Sequence, residues 1–569
     1  DFANRDWTWE AYVSSGQTNV QNFYVSMPSV DKWRALAALP EFGAGTVQAN
    51  ADVFGYGLNC TSGLPIFNGG TATMTDDCRQ SLLSQYKTTT VVDQDILEAN
   101  LQGKLLDMNA GELRFAAGIS TRENGYDYSP ASPQSAVFDR PLGIFPSNAA
   151  NGETSVDEVY GELLLPIIQS LSLELGYRYS DYDTAAGSVG TYKALFDWET
   201  TDWMRVRGGY QRANRAPNSA ELFQSGVVVF SVGFVGDPCQ INTNATYGNV
   251  PGNPNRAGAQ QLCGQLINDP NVFGPPGSAS ANNFIIGSPG DPPFTGINGI
   301  QAGNTQLQSE EADTYTLGVV FQSPGDLDGL SASIDYYSIE INGAIGSFNA
   351  NTVYAQCFNA NGISNPGYSV SDPLGFCGLI NRGQAGATGT VDLTFLNTGL
   401  IDTAGIDLGV NWLMSMSSGG SLYVNAVASF LDKFNTQEKP GDPIFEWKDT
   451  LGQGGQFKYR MNTTVGYNFA GGNAGVGVRV RYLPSIRPAE VVMVPTTTTL
   501  PTKSYQNVDL FASYTFNERY QLRGGIDNVL NEDPAVVGAT PIDSNSNNTL
   551  PSYYDVLGRR MYIGLKMVF

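Results

Sequence analysis

The sequence predicts an all-β protein, a transmembrane antiparallel β-barrel of about sixteen strands with long extracellular loops and short periplasmic turns. Three observations predict it. Apolar residues recur at every second position in segment after segment. The connections between those segments are alternately short and long. The sequence closes on Met561-Tyr-Ile-Gly-Leu-Lys-Met-Val-Phe569, alternating up to an aromatic residue where a frayed polar tail is the usual ending.

The alternation is clearest in four segments. In Ser170–Tyr179 the odd positions 171 to 179 are apolar or aromatic, and the even positions are Ser, Ser, Glu, Gly and Arg. Tyr315, Leu317, Val319 and Phe321 share one face, with Thr314, Thr316 and Gly318 on the other. Val476, Val478, Val480 and Tyr482 alternate with Gly477, Arg479 and Arg481. Leu422, Val424, Ala426, Ala428 and Phe430 alternate with Tyr423, Asn425 and Ser429. A two-residue period over this length means a sheet with one oily and one polar face. Sixteen strands are expected near 5–20, 93–107, 112–129, 152–165, 170–184, 190–199, 202–213, 311–322, 329–345, 388–415, 421–437, 452–470, 474–488, 503–517, 520–531 and 557–569.

Short connections fall at 109–111, 323–328, 417–420, 471–473 and 517–519, and long ones at 27–92, 214–310, 346–387 and 532–550. A soluble sandwich has no reason to sort its loops this way; a membrane barrel does. With short turns toward the periplasm, the first strand runs up and the last runs down. The oily face then meets lipid, including Met561, Ile563, Leu565, Met567 and Phe569, while Tyr562, Gly564, Lys566 and Val568 face inward. Arg178, Arg207, Arg479 and Arg481 join Lys566 on the lumen face, where balancing neighbouring carboxylates is favoured over gripping a ligand. A barrel has no free edge, so the last strand is expected to pair with the first.

Composition agrees. Charged residues are 15%, against about 25% usually, and glycines number 65. The mean hydropathy is -0.18. No run of 18 apolar residues occurs, which argues against a helical membrane protein and leaves a barrel untouched. The net charge of -23 disfavours a basic nucleic-acid surface. The sequence has 0 histidines, which removes Ser-His-Asp triads, His-metal sites and axial-histidine haem ligation. No acid/base pair stands out among the 54 carboxylates, so no catalytic residue, cofactor or metal is expected.

Six cysteines form three sequence-local pairs, Cys60/Cys78, Cys239/Cys263 and Cys357/Cys377, with no CxxC. One disulfide inside each of three long loops is the simplest reading; free buried thiols are the alternative. Each bridge would contribute about 3 kcal/mol to loop order.

Several segments in order resemble the barrel of TonB-dependent outer-membrane receptors. "QRANRAPNSAELF" (211–223) is similar to that family's strand end before a long extracellular loop, through Arg215, Ala216, Pro217, Glu221, Leu222 and Phe223. "GNTQLQSEEADTYTLGV" (303–319) is similar to the strand that follows, through Gly303, Asn304, Leu307 and Glu310, with Gln308 and Ser309 departing from the pattern. "TAGIDLGV" (403–410), "DNVLNEDP" (527–534) and "YDVLGRRMYIGLKMVF" (554–569) also fit, and Tyr562, Gly564, Met567 and Phe569 resemble the signal read by barrel-assembly machinery.

The resemblance implies a Gram-negative outer-membrane location, contact with outer-membrane lipid, and 22 strands around a plug. Residues 1–569 are therefore expected to be an N-terminally truncated barrel, without plug, energy-coupling box or about six early strands. It further implies active uptake driven by the TonB–ExbB–ExbD complex. The substrate class would be a small molecule or glycan: a ferric siderophore first by family frequency, then oligosaccharide or cobalamin. A passive porin or adhesin barrel, and a secreted soluble β protein, are the rival readings.

Competing roles are weighed residue by residue. Arg215-Ala-Pro217 reads as a strand terminator whose arginine bridges carboxylates or lipid phosphates, with ligand contact as the alternative. The apolar run 226–235 reads as a loop hairpin packed on its neighbours, or as a vestibule wall. Asp326-Leu-Asp-Gly329 reads as a turn, since the rest of an EF-hand loop is absent. Phe54, Tyr56, Phe284, Phe294 and Tyr354 are candidate loop aromatics for stacking on a substrate, with packed loops as the alternative.

Overall fold

The computed structural model of the chain describes residues 6–47, 58–66, 73–131, 139–144, 147–231, 235–240, 243–267, 297–324, 329–372, 375–382, 388–439, 443–493, 500–516, 519–537 and 549–567. Its strands are β1 (Thr8–Pro28), β2 (Leu83–Met108), β3 (Gly111–Ser129), β4 (Ala150–Ile168), β5 (Leu171–Tyr182), β6 (Ser188–Thr201) and β7 (Met204–Arg215). Then come β8 (Val227–Ser231), β9 (Ile297–Gln301), β10 (Glu310–Gln322), β11 (Leu330–Gly346), β12 (Ile380–Arg382), β13 (Thr388–Asp392) and β14 (Leu396–Ser415). The last are β15 (Ser421–Gln437), β16 (Phe445–Glu446), β17 (Tyr459–Asn468), β18 (Ala474–Leu483), β19 (Tyr505–Phe516), β20 (Tyr520–Asp527) and β21 (Arg560–Met567).

Apart from the two-residue β16 and the loop strands β8, β9, β12 and β13, every strand pairs antiparallel with its chain neighbour in one meander. All sixteen expected strands are present. The loops sort by rim as expected: every upward strand except β5 is followed by a long connection, and β2, β4, β6, β10, β14, β17 and β19 are followed by short ones. The pairing of last strand with first is not among the described pairings, where β1 pairs with β2 and β21 with β20.

Register fixes the two faces. On the outside, Phe321, Val319 and Leu317 lie opposite Ala332, Ile334 and Tyr336, which lie opposite Val410, Leu408 and Ile406. Leu171 and Val478 share this face, and Leu317 is 54% exposed on it. Aromatic pairs bound the oily band. Toward the long loops, Tyr210 meets Tyr192 at 5.9 Å and Tyr315 at 4.8 Å. Tyr459 meets Phe430 and Tyr482, each at 5.9 Å. Toward the short turns, Trp203 meets Phe321 at 5.6 Å and Phe516 meets Tyr520 at 5.3 Å. Two such belts are the interfacial girdles of a membrane barrel.

Some boundaries move, for physical reasons. β1 runs on to Pro28 and β2 starts at Leu83, and the paired stretch above the oily band mixes polar residues with Val20, Phe23, Tyr24 and Val25 on both faces, so neither face is apolar throughout. The expected strand 388–415 divides. β13 leaves the wall to pair parallel with β9, and Val391 and Leu393 are buried in the loops. The expected strand 452–470 starts only at Tyr459, since Gly454 and Gly455 adopt φ of 81° and 83°, outside the extended region.

Candidate functional site

Two surfaces shape what could pass through or bind here: the polar inner face of the wall and the loops above it. On β4 to β7 the inner face is charge-balanced. Arg178 binds Glu158 (3.3 Å), and Lys193 lies between Glu162 (3.0 Å) and Glu174 (2.5 Å). Arg205 meets Asp197 (3.5 Å), and Arg207 reaches past β10 to Asp335 (2.9 Å). That reach needs Gly318, where a Cβ would stand 2.0 Å from Asp335 Oδ1. Glycines elsewhere on this face let aromatic rings lie flat across the next strand. A Cβ on Gly466 would sit 2.2 Å from the Tyr423 ring, and one on Gly525 2.7 Å from the Tyr562 hydroxyl.

The lumen-facing arginines fall where the alternation predicts. Arg479 and Arg481 share the Asp509 carboxylate, at 3.2 and 3.1 Å. Concavities open along this wall. One of about 320 Å³ is lined by Arg460, Asn462, Arg481 and Asn507, beneath Tyr505 and Tyr553. A second, of about 330 Å³, is lined by Arg479, Phe511, Arg523 and Tyr562. A third, of about 460 Å³, lies between Glu174, Asp197, Arg207 and Asp335.

The long loops form three packed bodies. In the first, the helices Val30–Ala37 and Asp76–Leu82 bury Leu36, Leu58 and Leu64 around the Cys60–Cys78 bridge. Asp31 in the first helix accepts from Arg140, whose guanidinium holds its carboxyl below the usual range. Asp77, bonded by Thr75 and Thr61, is lowered to about 2. The second body combines the loops after β7 and β11. Antiparallel β8–β9 and β12–β13 join through the parallel β9–β13 pair into a four-stranded sheet. Beneath it lie the helices Arg256–Ile267 and Ala350–Cys357 and the bridges Cys239–Cys263 and Cys357–Cys377. The third packs Leu451, Phe457, Ile486 and Tyr554 from the loops after β15, β18 and β20.

An ion pair between Asp237 and Arg382 sits inside the second body, with side chains 0% and 7% exposed. Arg382 Nη2 also donates to Asp237 Oδ1 at 3.0 Å, and the guanidinium lies 5.8 Å from the Tyr354 ring centre. Burial alone would lower the Arg382 pKa, but the Asp237 charge outweighs it and raises the value. Burial raises the hydroxyls of Tyr247 and Tyr354.

The three cysteine pairs are bonded as the sequence predicts, and no described cysteine is free. Tyr354 is 0% exposed and packs beside Phe358 in the loop core, so it offers no face to a ligand. Phe54, Tyr56, Phe284 and Phe294 lie outside the described residues, as do Asp326, Leu327, Asp328 and Phe569. Tyr562, Gly564 and Met567 lie on β21, where Tyr562 fills the space over Gly525.

Arg215 is structural, as read. It bridges Glu221 (2.9 Å) and Glu310 (2.7 Å), tying the end of β7 to the short capped helix Ser219–Phe223 and to β10. Gly303 lets the chain approach Leu222 closely, Asn304 donates to Phe395 O (2.9 Å), and Leu307 is buried. The apolar run supplies β8, paired not as a local hairpin but with the distant β9. Sequence reasoning missed the Asp237–Arg382 pair, because nothing local links residues so far apart.

A family model described as "TonB dependent receptor-like, beta-barrel" matches residues 2–529. No curated protein sequence matches the chain. Among solved structures, the fold is similar to a mutant of the ferric enterobactin receptor PfeA from Pseudomonas aeruginosa. The identity is 14% and the TM-score 0.51, over 85% of this chain and 58% of that one. It is similar to the siderophore receptor PirA from Acinetobacter baumannii at 13% identity and TM-score 0.50, over 85% of this chain and 59% of that one. A PfeA complex gives 13% identity and TM-score 0.54, over 99% of this chain and 60% of that one. The chain thus spans less than two thirds of these receptors' length, and identities at this level speak to fold alone.

Proposed function

The chain belongs to the TonB-dependent receptor β-barrel family, and from that membership we propose that it is the barrel of an active transporter. Its place is the Gram-negative outer membrane. In this reading the folded loop bodies capture a scarce, bulky solute and the polar lumen conducts it inward. The TonB–ExbB–ExbD complex supplies the energy, and no covalent chemistry occurs. A ferric siderophore is the substrate class the reading favours, ahead of an oligosaccharide or cobalamin. The observation that carries the proposal is the family match over the wall, together with two faces of opposite polarity under large ordered loops. The solved structures of similar fold include a ferric enterobactin receptor and a siderophore receptor, which supports the substrate class.

The test is genetic. Deleting the gene should abolish growth on one ferric chelate under iron limitation. Deleting tonB should reproduce the loss. Growth that survives tonB loss, with steady conductance of the purified protein in planar bilayers, would indicate a passive porin instead.

A further inference from the structure

β1 to β4 rise above the oily band to the level of the loop bodies, and there their two faces differ in charge. The face that continues Leu97, Ile119 and Val159 upward carries Asp93, Asp95, Glu123, Asp127, Glu153 and Asp157, with Lys87 as the one cation among the described residues. The opposite face continues the lumen. Above Glu98 and Glu158 it carries one charged side chain among the described residues of these strands, Arg122. Register sets Gly16, Gln94, Asn124 and Thr154 in one row across it, with Tyr126 in the next row up.

This uncharged stretch is enclosed. Below it the charges are already matched: Glu158 binds Arg178 at 3.3 Å and accepts from Ser180 at 2.6 Å, and Glu98 accepts from Tyr12 at 2.7 Å. Above it Lys32 of the first loop body donates to Ser84 at 2.6 Å, and Ser84 donates to Asp139 at 2.7 Å. At the β4 side the Phe223 ring lies on Gly152, where a Cβ would stand 2.4 Å from it. Between these limits the amides form a chain. Gln94 Nε2 donates to Asn124 Oδ1 at 2.9 Å, and Asn124 Nδ2 donates to Thr154 Oγ1 at 3.5 Å. That orientation leaves the Gln94 carbonyl as an acceptor at one end and the Thr154 hydroxyl as a donor at the other.

Exposure to water does not account for one charged and one uncharged face, since both rise above the membrane. Amides and hydroxyls can be covered at little cost when their hydrogen bonds are replaced, whereas carboxylates cannot. The uncharged face is therefore the one suited to being covered, by a molecule with many hydrogen-bonding groups and no charge. A trianionic chelate would meet a single cation here. A run of sugar rings has hydroxyls that donate and accept at once, and apolar ring faces to set against Tyr126. We propose that the inner bay of the raised β1–β4 sheet binds an uncharged glycan. The site stands on this geometry and not on the uptake reading: the glycan is either cargo or a polysaccharide that anchors the cell.

The experiment is isothermal titration calorimetry on the full chain in detergent. The probes are maltoheptaose and cellohexaose, with hexagalacturonate as an acidic glycan of similar size and an uncharged Gly-Ser peptide as the non-sugar. One neutral glycan should bind at least about tenfold tighter than hexagalacturonate and the peptide, and its affinity should not fall as salt rises. Gln94→Ala with Asn124→Ala should weaken that binding about tenfold or more, since each lost hydrogen bond is worth a several-fold effect. The isosteric Asn124→Asp, which puts a charge in the bay, should weaken it as well. Glu123→Gln on the acidic face should change it less than about twofold. Heat-modifiable gel mobility checks that each variant folds.

No binding of either neutral glycan, or no effect of the bay substitutions in folded protein, would overturn the proposal. Equal binding of hexagalacturonate would overturn it too, and equal binding of the peptide would make the bay the seat of a polypeptide instead. TonB-dependent growth on the bound glycan would support the site as a cargo site; adhesion of cells to starch or cellulose without such growth would support it as an anchor. TonB-dependent uptake of a ferric chelate by a protein that binds no glycan would sink the bay and spare the transporter. Glycan binding without any TonB-dependent uptake would do the reverse.

Discussion

Replacing Arg382 by methionine keeps most of the side-chain volume but removes the guanidinium from Asp237, whose side chain is wholly buried. Removing one member of a buried pair costs about 3–5 kcal/mol, because the remaining charge is left desolvated. The exposed Arg205–Asp197 pair, with side chains 43% and 40% exposed, is worth about 0–1 kcal/mol by comparison. The cost falls on one loop body, since Asp237 lies in the loop after β7 and Arg382 in the loop after β11. At about 1.4 kcal/mol per tenfold, amides of β8, β9, β12 and β13 should exchange with deuterium roughly a thousandfold faster. The wall strands should keep their protection. Pairing Arg382→Met with Asp237→Leu should restore much of the loss, because an apolar pair carries no desolvated charge. Wild-type exchange of the loop amides in the single variant would refute the reasoning. So would equal damage from Arg205→Met, or no recovery in the double variant.

Other outcomes follow from the same geometry. Gly466→Ala forces a Cβ against the Tyr423 ring and should destabilise the folded barrel by about 1–3 kcal/mol in urea titrations; Gly161→Ala, with open space, should cost less. Val478→Lys places a charge on the lipid face and should cost about 2–4 kcal/mol near the bilayer midplane; a Lys at the neighbouring lumen position 479 should be tolerated. The Asp31 carboxyl is lowered by Arg140, so its contribution is complete above the ordinary carboxylate pKa of about 3.9 and is lost as pH falls through the lower folded value. Proteolysis of the first loop body should therefore rise in acid below about pH 4, and Asp31→Asn should remove that acid-dependent component.

The wall was legible in the sequence because a strand's two faces are written locally, at odd and even positions, and lipid demands that one face be apolar throughout. The sixteen strands, the sorting of loops and the outward placement of Leu171, Leu317 and Val478 all follow from that period. Cysteine spacing likewise gave the three bridges, since each closes within one loop. Tertiary structure alone decided the rest. Polar and apolar residues mixed on both faces hid how far β1 and β2 rise above the band. The loop bodies join partners from different connections, so neither the β9–β13 pairing nor the Asp237–Arg382 pair has a local signature. Tyr354 shows the limit most directly: an aromatic residue in a loop looks the same in sequence whether it faces solvent or core. Which it does depends on what a second loop, more than a hundred residues away, brings to cover it.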